Sequence, residues 1–277
     1  MHELSPRTVK HLLVTLRGAL AVAVKDGQIP RNVAALVDPP RVMRPDIQVF
    51  DPEQARAFLD AAKGLRLEAA FTAAVALGLR QGEILGLLWS EVDLESGTLT
   101  VRGALQRVDK KLVRVEPKSE RSRRTVRLPA VCVATLARHR AIQEQERQWA
   151  GSRWQDTGYV FTTRIGSPID PRDLLRDYYA ITRPKAKEGG KPPEPKFPAI
   201  RFHDLRHSAA TLLLAQGVSP RYITQLLGHS QVSFTMQTYA HVLPDVERAV
   251  ATKMDEILAP VPVATRVATN ASEPLPN

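Results

Sequence analysis

The stretch RFHDLRHSAATLLLAQG, residues 201–217, begins with charged and imidazole side chains and continues as an apolar, helix-forming run. His203 and His207 stand four positions apart, the spacing at which a helix presents two imidazoles to one metal ion. Arg206 argues against a metal, because a guanidinium three positions after His203 lies beside the same face and cannot ligate. The face therefore favours an anion. A second interpretation stays open, in which these residues only form a polar helix start with Asp204 as N-cap.

Composition and charge limit the class of protein. The 277 residues are 43% hydrophobic and carry a net charge of +10, which predicts a polyanionic partner, most simply nucleic acid; a merely basic protein is the alternative. No run approaches the roughly 18 apolar residues of a membrane span, and MHELSPRTVK at the amino end lacks an apolar signal region. A cytoplasmic location is expected. Cys132 is the single cysteine, which excludes an internal disulfide framework and a multi-cysteine metal site.

The periodicity of the amino-terminal part predicts a small helical unit over residues 1–37. Thr8 to Val24 carries apolar residues at helical spacing, and a turn leads into a shorter second helix that ends near Val37. Such a pair cannot close a core by itself. Residues 38–48, DPPRVMRPDIQ, are punctuated by proline and lack periodicity, so they are expected to be a linker.

A second domain is expected over residues 49–259. Asp51 to Gln54 has the composition of a helix start, and helices follow to about Leu88. Three alternating stretches then predict a small antiparallel sheet of three strands inserted among helices: Gly97–Gly103, Lys111–Pro117 and Arg123–Pro129. Residues 183–198 are expected to be a mobile loop, and 260–277 a disordered tail. The fold class is therefore mainly α with a small antiparallel β-sheet (α+β).

Arg80 follows the end of an apolar run. The run stops at Gly78, and a helix restarts around Arg80 to Glu83. An arginine at the amino end of a helix adds a bidentate fork to the free N–H groups already there, which favours a phosphate. The alternative is a surface ion pair between Arg80 and Glu83, three positions on.

Three further polar positions are unremarkable when each is taken alone. Lys118 lies in a basic connection between two predicted strands, which either reaches into a groove or is simply solvated charge. His229 follows Gly228, and Tyr239 lies in a second short amphipathic segment. None of these features indicates a function without the others.

Taken together, the segments GLRQGE, PKSERSRR, HDLRH, LLGHS and QTYAHV, in this order, resemble the tyrosine recombinase (phage integrase) family. The resemblance covers roughly residues 49–258. It implies a catalytic domain preceded by the end of a helical core-binding domain, with the earlier helices missing from a shortened amino end. It also implies the site residues Arg80, Lys118, His203, Arg206 and His229, with Tyr239 as the nucleophile, and neither cofactor nor metal; His207 is expected to be structural.

The resemblance implies a site-specific recombinase that cuts and rejoins DNA through a 3′-phosphotyrosine. His203 is expected to accept the phenol proton, and Lys118 to protonate the leaving 5′ oxygen. Double-stranded DNA is the expected partner, bound by a homotetramer, with an accessory directionality factor as a further family partner and no membrane. The tetramer contacts are expected from an apolar stripe that otherwise folds back on its own domain: Val246, Ala249, Val250, Met254, Ile257 and Leu258.

Three alternatives remain at the level of the sequence. A type IB topoisomerase-like enzyme shares this chemistry but rejoins the original strand. A non-catalytic DNA-binding relic would explain the shortened amino end, although all six reactive positions are retained. A zinc hydrolase is disfavoured by the guanidinium of Arg206 beside the histidines.

Overall fold

The computed structural model describes residues 4–42, 48–116, 123–184 and 196–228. The chain divides into two compact units, Met1–Ile47 and Gln48–Asn277. No helix in these described ranges is long and apolar enough to span a membrane. The assignment of the first unit to a core-binding domain stays a prediction.

The first unit consists of a long helix and a short 3₁₀ turn. The helix α1, Pro6–Lys25, begins after Ser5, whose hydroxyl caps it. The expected second helix is a single 3₁₀ turn, Val33–Leu36, to which Arg17 of α1 donates a 2.9 Å hydrogen bond at the Ala34 carbonyl. Among residues 4–42 only Ala34 is buried. The described part of this unit therefore has no apolar core of its own, as its small size requires.

Helices dominate the described part of the second unit. They are α2 Pro52–Ala62, α3 Glu68–Leu77, α4 Gln81–Leu85, α5 Ala130–Ala150, α6 Pro171–Thr182, α7 Asp204–Ala215 and α8 Pro220–Leu227. The helix start expected at Asp51 is confirmed, because its carboxylate accepts from the Gln54 peptide N–H at 2.8 Å. The Gln54 side chain accepts in return from Asp51 at 3.1 Å. This reciprocal capping satisfies two otherwise unpaired N–H groups.

The helix α3 is the centre of the core. Every residue of α3 except Glu68 and Ala76 is buried, and the helix packs against α2, α4, α5 and α7. Aromatic rings fill the space around it, including Phe58 and Phe71, whose centroids lie 5.7 Å apart edge to face. A helix that is apolar on all sides has to be buried in this way. Both of its ends are consequently fixed in position.

The strands form two small antiparallel groups. They are β1 Val92–Asp93, β2 Thr98–Val101, β3 Ala104–Val108, β4 Lys111–Val115 and β5 Arg124–Arg127, paired as a β1-β2-β5 sheet and a β3-β4 hairpin. The expected single sheet is wrong in one respect, because its middle strand, β4, pairs with β3 instead. Asp109 and Lys110 form the two-residue turn with φ of 47° and 65°. Neither is a glycine, so the sequence gives little sign of this hairpin.

The mainly helical fold with small antiparallel sheets is confirmed. Residues 38–42 of the expected linker are irregular, and 43–47 lie outside the described residues. Most of the expected loop 183–198 lies outside them too, as do the tail 260–277 and the apolar stripe that follows Tyr239. The expectations for those segments remain predictions.

Candidate functional site

Arg80 projects from a fixed point between α3 and α4. The helix α3 ends at Gly78, which adopts a left-handed φ of 60°, and Arg80 is the N-cap of α4. The Arg80 peptide N–H donates to Glu83 Oε2 at 3.0 Å, and its Nη1 donates to Oε1 at 2.8 Å. The Arg80 side chain is 40% exposed. Its guanidinium therefore has a defined origin and remains open to an anion.

The Arg80–Glu83 ion pair weighed in the sequence is present, but it is not a surface pair. Glu83 is buried, and Arg124 of β5 donates to it from the other side, Nη2 to Oε2 at 2.8 Å. Burial alone would raise the pKa of Glu83. The hydrogen bond from Arg124 and the charges of Arg124 and Arg80 outweigh it and lower the pKa to about 2. Glu83 is therefore a carboxylate shared between two arginines.

The start of α7 differs from the expected cap by one residue. His203 occupies the N-cap position, and Asp204 is the first helical residue. The Asp204 carboxylate turns back to Arg201, accepting from the peptide N–H at 2.8 Å and from Nη2 at 2.7 Å. Burial would raise the pKa of Asp204, but the hydrogen bonds from Arg201 lower it. The expectation that Asp204 is the N-cap is therefore wrong by one residue. The Asp204 carboxylate is paired with Arg201, and His203 occupies the N-cap position.

Arg206 is buried beneath the same surface. Its Nη1 donates to the Gly78 carbonyl at 2.7 Å, and its Nη2 donates to the Leu227 carbonyl at 2.6 Å. A Cβ on Gly78 would lie 2.5 Å from Leu227 Cδ2, so the ends of α3 and α8 meet only because residue 78 is a glycine. Gly78, whose carbonyl binds Arg206, is two residues before Arg80 in the sequence. The structure thus brings the two arginines to one place.

The two histidines of α7 face each other. Their ring centroids are 5.7 Å apart at an interplanar angle of 85°. Burial, and then the charge of Arg206, lower the pKa of His203, and the charge of Arg80 contributes. Burial, and then the charge of His203, lower the pKa of His207. Both imidazoles are therefore mainly neutral at pH 7. The His203 ring is only partly buried, so it remains accessible and can accept a proton.

Three of the six expected site residues are thus described, and they converge: Arg80, His203 and Arg206. Lys118, His229 and Tyr239 lie outside the described residues. A described residue close to Lys118 does reach this region. A cleft of about 490 Å³ is lined by Arg80 and by Glu116, which is two residues before Lys118. The site assignments of Lys118, His229 and Tyr239 stay predictions.

The sequence does not show that Glu83 binds Arg80 or that Arg124 binds Glu83. Arg124 looks like one of several solvated arginines, although its strand alternates, with Arg124 and Val126 buried and Arg127 exposed. That alternation is the signal that could have placed it inside. Within the described ranges, no three His, Cys, Asp or Glu side chains cluster as a metal site would require. The described arrangement of guanidinium groups and a neutral imidazole is suited to a phosphate group.

Comparison with known proteins adds a family to this geometry. The model of the phage integrase family matches residues 48–245. The tyrosine recombinase XerC-like protein of Caldanaerobacter subterraneus is 34% identical over 258 residues, which are 87% of this chain and 63% of that protein. The chain belongs to the phage integrase family. It spans less than two thirds of the XerC-like protein.

Other members resemble this phage integrase family chain over most of its length. The integrase of Saccharopolyspora erythraea is 30% identical over 304 residues, covering 91% of this chain and 67% of that protein. The structure of the Tn1549 transposon integrase in complex with a circular intermediate DNA has a TM-score of 0.66 at 22% identity, covering 91% of this chain and 80% of the other. XerA recombinase has a TM-score of 0.52 at 22% identity, covering 88% and 74%. At these identities the structures show a shared fold.

Proposed function

We propose that this chain is a site-specific DNA recombinase that cuts and rejoins DNA through a 3′-phosphotyrosine formed by Tyr239. The observation that supports this most strongly is the convergence of Arg80, His203 and Arg206 in a chain of the phage integrase family. The net charge of +10 suits a double-stranded DNA partner. A cytoplasmic location is part of this proposal, because the proposed substrate is DNA.

The arginines have the role of stabilising negative charge on phosphorus. Attack on a phosphodiester builds charge on the non-bridging oxygens, and donors fixed before the reaction lower its barrier most. Arg80 is fixed through Glu83, and Arg206 is fixed through the carbonyls of Gly78 and Leu227. Both guanidinium groups are therefore held in position before DNA binds. His229, from the segment that follows α8, would add a hydrogen bond to the same oxygens.

Proton transfers complete the reaction. A phenol with a pKa of about 10 is neutral at physiological pH, so Tyr239 needs a proton acceptor. The His203 ring is partly buried but still accessible to solvent, and partial burial and the charge of Arg206 lower its pKa, which keeps it in the accepting form. As the bond between Tyr239 and phosphorus forms, the bond from phosphorus to the 5′ oxygen breaks, and Lys118 donates the proton that this oxygen takes. Attack by a different 5′ hydroxyl reverses these transfers and joins new strands.

Strand exchange needs several subunits on two DNA duplexes, so we include a homotetramer in this proposal. The structure of lambda integrase as a tetramer bound to a Holliday junction has a TM-score of 0.50 at 18% identity to this chain. The apolar stripe from Val246 to Leu258 is the proposed contact between subunits. An accessory directionality factor would act on such an assembly.

The first experiment traps the covalent intermediate. Sheared genomic DNA from the source organism is incubated with the protein, and covalently bound fragments are sequenced to identify a site. That site is then made as a nicked duplex whose cleaved end diffuses away. We expect an adduct that resists denaturing electrophoresis, that is lost in Tyr239→Phe while DNA binding is kept, and that persists in EDTA because side chains fill every role.

The outcomes separate the alternatives. An adduct of normal yield from Tyr239→Phe would remove the nucleophile assignment. Joining of two different duplexes indicates a recombinase, whereas relaxation of supercoiled DNA without exchange indicates a topoisomerase. DNA binding without any adduct would indicate a non-catalytic DNA-binding protein.

A further inference from the structure

Arg124 makes buried contacts with the helix that follows Arg80. The side chains of Arg124 and Glu83 are 5% and 8% exposed. From β5, Arg124 donates through Nη2 to Glu83 Oε2 at 2.8 Å and through Nη1 to Oε1 at 3.3 Å. The same two carboxylate oxygens accept the peptide N–H and the guanidinium of Arg80. Arg124 is therefore connected to Arg80 through Glu83.

The same guanidinium also contacts the end of α8. Its Nε donates to the Leu226 carbonyl at 2.6 Å. Gly228, which has a φ of 66°, lies against it so closely that a Cβ there would be 2.9 Å from Nη1 and 3.2 Å from Cζ. Gly228 is the residue immediately before His229. The last described turn before His229 is thus fitted around Arg124.

We propose that Arg124 is a positioning residue that fixes the start of α4, with Arg80, relative to the end of α8, before His229. This inference rests on the proposed function. A guanidinium carries donors on three nitrogens in one plane, so it can bind a carboxylate and a carbonyl at the same time. The single ammonium of a lysine has no such fixed fork. Arg124 has no need to touch DNA in this role, because its influence passes through Glu83 and Leu226.

The main test compares two arginines of the same strand. Arg124→Met removes the buried guanidinium, and Arg127→Met removes one charge from an exposed residue of β5. The first-order rate of adduct formation is measured on the captured nicked duplex at saturating protein, well below the unfolding temperature of each variant. We expect Arg124→Met to be slower by about 10²-fold, the usual effect of displaced catalytic groups. Its dissociation constant for DNA should change less than about 3-fold, because phosphate contacts elsewhere dominate affinity.

Two further variants show whether Arg124 acts through Glu83. Arg124→Lys keeps a charge beside Glu83 and should recover part of the rate that Arg124→Met loses. In the double variant Arg124→Met with Glu83→Gln, the buried carboxylate is no longer left short of a counter-charge. Because the two residues belong to one network, its rate should be no lower than that of Arg124→Met alone. Arg124→Lys also keeps the test informative if the Arg124→Met variant fails to fold.

The results separate this inference from the proposed function. If the unmodified chain forms no covalent adduct with any DNA fragment, the proposed function itself is overturned. With an active unmodified chain, a lower unfolding temperature but an unchanged rate in Arg124→Met shows a merely structural role. Equal losses in Arg124→Met and Arg127→Met show an effect of strand charge. A rate in the double variant well below that of Arg124→Met alone shows that Arg124 acts independently of Glu83, and each of these three results overturns the positioning role.

Discussion

The two helices that carry the arginines of the site hold them by different means. Arg80, at the start of α4, is held by the carboxylate of Glu83, and that carboxylate is held in turn by Arg124. Arg206, in α7, is held by the backbone carbonyls of Gly78 and Leu227. A carboxylate can change its charge, whereas a carbonyl cannot. The first arrangement depends on electrostatics, and the second depends on the shape and packing of two helix ends.

Removing each arginine should show this difference most strongly. Both Arg206→Leu and Arg80→Leu should slow adduct formation by at least about 10²-fold, because each removes a positive charge that stabilises the phosphate in the transition state. Only Arg206→Leu should also unfold easily. The carbonyls of Gly78 and Leu227 lose this donor, which costs about 2–6 kcal/mol in total at the usual penalty for unsatisfied groups. Arg80→Leu should cost less, because the buried Glu83 carboxylate keeps its hydrogen bond from Arg124 and the lost partner is 40% exposed.

Urea unfolding of both variants supplies the measurement. A free energy of unfolding that falls equally in the two variants would mean that Arg206 is not anchored by the carbonyls as described.

The glycine at the end of α3 gives the next largest expected effect. Gly78→Ala places a methyl group 2.5 Å from Leu227 Cδ2 at a φ of 60°. Gly64→Ala is the matched control, since Gly64 has a φ of 78° and open space around it. Both pay for the left-handed backbone, but overpacking should cost Gly78→Ala about 1–3 kcal/mol more. Equal free energies of unfolding would show that α8 moves away without penalty.

The smallest expected effect is in the response to pH. An unfolded histidine titrates near pH 6.5, and burial lowers the pKa of both His203 and His207 in the fold. The unfolded chain then binds more protons below that pH, so the free energy of unfolding should fall as pH drops through about 6.5. Glu83, with a pKa of about 2, loses its contribution only in stronger acid, below about pH 4.3.

Unfolding at about pH 7.5 and 5.5 tests this sign, because the interval spans the histidine range and excludes that of Glu83. Replacing both histidines by glutamine should reduce the fall, leaving the part due to His139, whose pKa burial also lowers. Greater stability at the lower pH would contradict the described environment of α7.

The sequence predicts local features of this site better than the contacts between its parts. The end of α3 at Gly78 follows from the preference for glycine after a helix, and the start of α2 at Asp51 follows from capping preferences. The partners of Arg206 and those of Arg124 could not be predicted, although the alternation of β5 is a sign that Arg124 is buried. The hydrogen bonds from Arg206 to Gly78 and from Arg124 to Leu226 join residues more than 100 positions apart, so they depend on packing that no local pattern encodes.

The strand region shows the same limit. The pattern of β2 and β5 is confirmed, yet the alternation of β4 does not reveal its partner, because register is set by the turn and by the buried face. The N-cap of α7 is His203, one residue before the expected Asp204, for a similar reason. The attraction of Asp204 to Arg201 outweighs the general preference of aspartate for the N-cap.

The identity of the residue attached to DNA tests the central claim most directly. The trapped adduct is digested with nuclease and protease, and the peptide that retains a nucleotide is sequenced by mass spectrometry. We expect a 3′-nucleotide on the oxygen of Tyr239, in amounts that fall by at least about 10²-fold when Arg80 or Arg206 is replaced. Attachment to any other residue, or attachment to Tyr239 at an unchanged rate without these arginines, would contradict the account of this site.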